Sequence, residues 1–168
     1  PPRSTLFPYT TLFRSGNDRV TGNGRANEIY GMRGRDILKG VNGNDTLDGG
    51  QGNDVLNGGN QNDDLFGGVG NDRLIGGANA DTLWGGAGID TLGGGGGQDV
   101  FVFGFGDGRD RILDFTDNQD TLMLDRDLWG GANLTAAQVV NTYGRVAGGD
   151  TILTFVGHKL TIVGLNSL

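Results

Sequence analysis

"GGQGNDVLNGGNQNDDLFGGVGNDRLIGG", residues 49–77, runs through the same order again and again: a glycine pair, a carboxylate, one aliphatic residue, then glycine. Followed outward in both directions, the pattern keeps one phase over ten units. Asp18, Asn27, Asp36, Asp45, Asp54, Asp63, Asp72, Asp81, Asp90 and Asp99 stand nine apart. Two positions after each come Val20, Ile29, Leu38, Leu47, Leu56, Leu65, Leu74, Leu83, Leu92 and Phe101. A flexible Gly-rich linker has no reason to hold such a phase, so each nonapeptide is one structural unit of a repeat. Three residues make a strand with one inward aliphatic side chain. The other six reverse the chain, and glycine there supplies positive φ and close backbone approach.

Composition narrows the function. The chain has 168 residues, and its 35 glycines are about three times the usual ~7 % share. Twenty acidic against thirteen basic residues give a net charge of −7, which argues against nucleic acid as a partner, because phosphates need a basic face. Cations are the partners this balance favours. Residues 41–99 alone carry nine acids and a single base, Arg73. Without cysteine there is neither a disulfide nor a thiolate metal site. No run of eighteen apolar residues crosses a membrane. His158 is the only histidine, and Ser167 the only serine beyond residue 15. HExxH zinc chemistry and Ser-His-Asp triads are therefore absent from this stretch, and no enzyme is expected in it, although a longer parent could be one, such as a protease or lipase. His158, in "FVGHKL", reads as a hairpin turn residue.

The pattern G-G-x-G-x-D-x-U-x resembles the calcium-binding repeat of the repeats-in-toxin (RTX) family, cleanest at 49–57, 67–75 and 85–93. The resemblance covers residues 16–101. It implies an all-β fold: a right-handed parallel β-roll, a two-sheet solenoid with two units per turn. Residues eighteen apart then stack, which puts Val20, Leu38, Leu56, Leu74 and Leu92 on one sheet and Ile29, Leu47, Leu65, Leu83 and Phe101 on the other. Stacked carboxylates call for a counter-ion. Several calcium ions suit oxygen ligands in irregular geometry better than magnesium does. By the same resemblance the ions lie in two rows, one along Asp36, Asp54, Asp72 and Asp90, the other along Asp45, Asp63, Asp81 and Asp99. Backbone carbonyls of Gly49, Gln51, Gly68, Gly70, Gly85, Gly86 and Gly88 are the expected further ligands. Asp18 and Asn27 are doubtful ends of these rows, since Arg25, Met32 and Val41 interrupt the glycines around them. Gln61 and Asn79 replace the fourth-position glycine on the second row only, and this predicts weaker sites there.

Beyond Phe101 the period breaks. "VFVFGF", "DRILDF", "DTLMLD", "DTILTF" and "KLTIVG" alternate as antiparallel strands do, with one short helix over Leu134 to Val140. Residues 102–168 are thus expected to form an antiparallel β capping region. They resemble the segment after the repeats of RTX exoproteins, which implies export through type I secretion machinery and an extracellular location. The expected function is a calcium-binding module that folds after export and serves the secretion and folding of a larger exoprotein. The alternative is an adhesin module for polysaccharide or a cell surface. The aromatic stripe Tyr30, Phe66 and Trp84, interrupted by Asp48, keeps that alternative open, although packing under the rest of the chain is the commoner fate of such a stripe. Residues 1–15 share nothing with the repeats and look like a translated sequencing adapter. They are expected to be non-native and disordered, with a longer protein upstream.

Overall fold

The computed structural model describes residues 10–12, 15–116, 119–133, 135, 138, 139, 142 and 144–164. Its strands are β1 (Thr10–Leu12), β2 (Arg19–Thr21), β3 (Glu28–Tyr30), β4 (Ile37–Asn42), β5 (Thr46–Gln51), β6 (Val55–Asn60), β7 (Asp64–Gly70) and β8 (Arg73–Ala78). They continue with β9 (Thr82–Gly88), β10 (Thr91–Gly96), β11 (Val100–Phe103), β12 (Arg109–Ile112), β13 (Thr121–Leu124), β14 (Gly144–Ala147), β15 (Asp150–Phe155) and β16 (His158–Ile162). A 3-10 turn, Arg126–Trp129, is capped by Asp125, whose carboxylate accepts from the Asp127 N–H.

As far as β13, odd and even strands separate, as a nine-residue half-turn requires of the repeat. One sheet runs β1-β3-β5-β7-β9-β11-β13, the other β14-β15-β16-β12-β10-β8-β6-β4-β2. Strands of the repeat pair in parallel at a register of eighteen, Leu38 with Leu56 and Leu47 with Leu65. Between the sheets lie the two expected ladders, from Val20 to Leu92 and from Ile29 to Phe101, all buried. Each inward residue is one side chain wide, and this is why glycine neighbours suffice to close the core.

The coil does not stop at Phe101. Leu92 pairs with Ile112 at a spacing of twenty, and Phe101 with Leu122 at twenty-one, both in parallel. Longer loops absorb the extra residues while the rung spacing of a sheet stays fixed. Antiparallel pairing, expected from Phe101 onward, is confined to β14, β15 and β16, and β16 itself joins the coil in parallel to β12. Alternation marks a half-buried strand but carries no information on the direction of its neighbour. Phe155 stacks near Phe103 and Trp129, at 6.3 and 6.1 Å between centroids, and covers the end of the core with Leu128, Leu153 and Leu160. Most of the helix expected over Leu134 to Val140 lies outside the described residues.

Two further differences concern the edges of the coil. Thr10–Leu12, from the segment expected to be disordered, is paired with β3 at the repeat's own register of eighteen. The first rung presents unpaired backbone groups, and any extended segment can satisfy them; residues 1–9 lie outside the described set. Second, the stripe Tyr30, Asp48, Phe66 and Trp84 is in register, half-buried at Tyr30, Asp48 and Phe66 and left open at Trp84. Trp84 is 42 % exposed, touches Phe66 at 6.4 Å and donates its indole N–H to Asp107 at 3.0 Å.

The irregular repeats pay in backbone conformation. Met32 and Val41, at the second-glycine position, sit at φ 76° and 97°, and a β-branched residue there is strained. Their side chains are 48 % and 38 % exposed, so little packing is recovered. Replacing Val41 by glycine should raise stability by about 1 kcal/mol, the order of the left-handed penalty, as measured by denaturant unfolding in saturating calcium; a loss of stability would refute the strain.

Candidate metal centre

Each repeat Asp is held by the turn before it. The Asp36 N–H donates to Asp54 Oδ1, Asp54 to Asp72 and Asp72 to Asp90, at 2.7 Å in each case. On the other edge Asp45 donates to Asp63, Asp63 to Asp81 and Asp81 to Asp99, at 2.8 to 3.0 Å. One carboxylate oxygen per residue is thereby fixed, and the two expected rows come together along opposite edges of the coil.

The second oxygen has nothing. Oδ2 of Asp36, Asp45, Asp54, Asp63, Asp72, Asp81 and Asp90 is buried without a hydrogen-bond partner. Each lies against the first glycine of its own unit, so that a Cβ at Gly31, Gly49 or Gly67 would collide with Asp36, Asp54 or Asp72. The same spot is bounded by the carbonyl of the next turn's first glycine: Gly49 beside Asp36, Gly58 beside Asp45, Gly67 beside Asp54, Gly85 beside Asp72 and Gly94 beside Asp81. Seven buried carboxylate oxygens with no donor are costly unless a cation neutralises them. A carboxylate beside a main-chain carbonyl is the donor set of a hard ion. No three acidic or imidazole side chains converge among the described residues, so a cation here must draw much of its shell from the backbone. The residues present fit calcium.

Among the expected carbonyls, Gly49 and Gly85 border these spots, while Gly58, Gly67 and Gly94 were missed; their place at the head of each unit is the signal that could have found them. The Gln51 carbonyl instead accepts from the Gly34 N–H at 2.8 Å. Those of Gly68, Gly70 and Gly88 face Gly86, Gly88 and Gly108 of the following turns, and Gly86 itself lies in β9. At the doubtful start, the Asp18 and Asn27 N–H groups donate to Asp36 and Asp45. The Asn27 amide is satisfied by its own loop, through Asn23 and Ala26. Beyond the repeat, Asp110 and Asp120 take the same role that the repeat Asp residues play, accepting from the N–H of Asp90 and Asp99 at 3.0 Å. Spacings of twenty and twenty-one hid them from a search at nine. Where the glycine row has φ between 138° and 154° at Gly34, Gly52, Gly70 and Gly88, Gln61 and Asn79 relax to 76° and 79°. The loops of the two rows therefore differ in shape.

Burial pushes these carboxyls up, against the lowering effect of the N–H each accepts. Asp36, Asp45, Asp54, Asp63, Asp72 and Asp90 reach about 6 and Asp81 about 7. Stacked neighbours add to the rise, as Asp72 does for Asp54. Burial likewise pushes Asp110, at the end of its row, up to about 8.

The family model for the RTX calcium-binding nonapeptide repeat matches residues 14–47, 39–74 and 75–112. The chain belongs to this family, whose repeats bind several calcium ions per array and are found in secreted proteins. The repeat module is not itself the catalytic part of such proteins. No curated protein matches the chain. Among solved structures it is similar to the extracellular lipase LipA from Serratia marcescens, at 19 % identity and a TM-score of 0.47, over 94 % of this chain and 38 % of the lipase. It is also similar to the AlgE6R3 subunit from the Azotobacter vinelandii mannuronan C5-epimerase, at 24 % identity and a TM-score of 0.35, over 91 % of this chain and 74 % of that one. The chain thus spans little more than a third of the lipase's length. Among the described residues no helix is long and apolar enough to cross a membrane.

The raised carboxyls fix the sign of a pH effect. Their folded values lie above the ordinary 3.8 of an unfolded chain, so without metal their contribution favours folding below about pH 4 and is lost as pH rises through about 6 to 7. Metal-free protein, prepared by dialysis, should therefore show more β signal in circular dichroism near about pH 4.5 than near about pH 7.5, and excess calcium should restore the signal at the higher pH. More β signal at the higher pH without metal would contradict the buried rows.

Proposed function

We propose that this chain is a calcium-driven folding module of a larger exported protein. The observation that carries the reading is the set of seven buried, donorless carboxylate oxygens in two rows. Without a cation, like charges stack at every turn of each row and hold the coil open; with one, the same carboxylates fasten successive turns. In a low-calcium cytosol the chain stays extended, a form suited to passage through type I secretion machinery. Outside, calcium at the 10⁻⁴ to 10⁻³ M affinities usual for extracellular modules closes it. The Asp36, Asp45, Asp54, Asp63, Asp72, Asp81, Asp90 and Asp99 carboxylates are the proposed ligands, with Asp110 and Asp120 ending the rows. The apolar cover around Phe155 seals the last rung, and the role of residues 102–168 is to stop the coil from fraying.

Far-UV circular dichroism should pass from a disordered to a β spectrum on adding millimolar calcium. The transition should be cooperative, because a single site contributes only about 1.4 kcal/mol at tenfold excess over its Kd. A spectrum that is the same in chelator and in calcium would overturn the reading.

The two rows should also differ in strength. A side chain at Gly70 would run into the Gly52 carbonyl, at a φ of 142° that only glycine adopts readily. Gly70→Gln should therefore weaken binding by roughly tenfold or more at the affected sites, a larger change than any gain from Gln61→Gly, since Gln61 has already found its own left-handed geometry. Calorimetric titration of both variants beside the parent decides this, and parent-like binding by Gly70→Gln would sink the loop argument.

A further inference from the structure

The two outer faces of the coil carry opposite charges. On the nine-stranded sheet the outward positions hold Arg19, Lys39, Arg73, Arg109, Arg111 and Lys159, with Arg145 on β14. Its only carboxylates within strands are Asp110, which points inward and is buried, and Asp150 at the β14–β15 turn, which accepts from the Gly164 N–H. The seven-stranded sheet is the reverse: Glu28, Asp48 and Asp64 lie on β3, β5 and β7, and none of its strands has a Lys or Arg. In a chain of net charge −7, a face with no outward carboxylate away from its turns is not what random placement gives. No ion pair or side-chain hydrogen bond engages Arg19, Lys39, Arg73 or Arg111 among the described residues.

Their placement is linear. Arg19, Ile37, Val55, Arg73, Thr91 and Arg111 share one register position on successive strands. Strands lie about 4.8 Å apart, so the three guanidinium groups mark a straight line of roughly 24 Å along the coil axis, five strand spacings long, with Lys39 beside it. At the far end a cavity of about 330 Å³ is lined by Arg109, Thr154, His158 and Lys159. There His158 accepts from the Gly108 N–H through Nδ1, at 3.3 Å, which leaves Nε2 as a donor.

We infer that this cationic line on the nine-stranded sheet binds a linear acidic polysaccharide, its carboxylates or sulfates paired with the unpartnered Arg and Lys side chains. Guanidinium forks match such oxyanions bidentately. The strands of this face carry no exposed aromatic side chain on which bases could stack. Phe105, exposed in the loop before β12, packs on the His158 ring at the far end, 5.0 Å between centroids. A single ring at one end is no stacking row, which separates the site from a single-stranded nucleic-acid groove. A line one residue wide fits a rod better than a lipid surface, which would engage a two-dimensional array of charges. The inference depends on the calcium reading only in requiring a folded coil.

The test uses the full chain in saturating calcium. A heparin oligosaccharide serves as the acidic probe, with dextran as the uncharged one and vesicles of mixed neutral and anionic phospholipid as the planar anion. Binding to heparin alone, weakened by added salt, is expected. Arg73→Glu with Arg111→Glu should reduce it roughly tenfold or more, while Trp84→Ala and Asp64→Ala leave it unchanged. An unaltered calcium transition in the double variant, by circular dichroism, shows that the fold and the calcium reading stand apart from the result. No heparin binding by the parent, equal binding by the double variant, stronger binding to vesicles, or loss of binding on Trp84→Ala instead would each overturn the proposal.

Discussion

A single hydrogen bond, repeated every eighteen residues, organises this molecule: the N–H of one repeat Asp to Oδ1 of the Asp in the next turn. It fixes the register of the parallel strands and brings carboxylates of like charge into one file. It also uses one oxygen of each and strands the other in a place water does not reach. Most features of the coil answer to that arrangement. The first glycine of each unit is there because a Cβ would occupy the space beside the stranded oxygen. The aliphatic ladders are narrow because the walls are loops and not broad side-chain layers. Under the proposed function, folding is conditional: the same contacts that define the native state are repulsive until a cation joins them.

Much of this was legible in the residues. A strict period of nine, with an aliphatic residue two places after each carboxylate, leaves few alternatives to a coil in which residues eighteen apart stack, and both ladders and both Asp rows follow from it. Gln61 and Asn79 stood out as departures, and both do take left-handed backbone. What the period could not convey was its own continuation. Asp110, Asp120, Ile112 and Leu122 occupy the next rungs with loops two and three residues longer. Space conserves the rung, whereas sequence conserves it only while loop length is constant. Strand direction past Phe101 was equally hidden, because an alternating strand reads the same whether its neighbour runs with it or against it.

Chemistry at the edges was harder to foresee for a different reason. Trp84 was expected to be covered, as exposed indoles are unusual, yet its one polar atom finds Asp107 across a loop from beyond the repeat. Such a bond joins positions 23 apart in a part of the chain with no period. Likewise, the pairing of Thr10–Leu12 with β3 depends on an open backbone edge and not on any side-chain signal.

The buried Asp rows also determine which sign of charge the surroundings meet. Ten of the twenty acids that make the chain anionic are buried, nearly all of them along the two edges of the coil, while the Arg and Lys side chains of the strands remain outside. Four divalent ions held there suffice to carry the formal net charge of −7 past zero. Under the proposed function, an unfolded, anionic chain and a closed, mildly cationic one are the same polypeptide on the two sides of a calcium gradient, with opposite responses to polyanions.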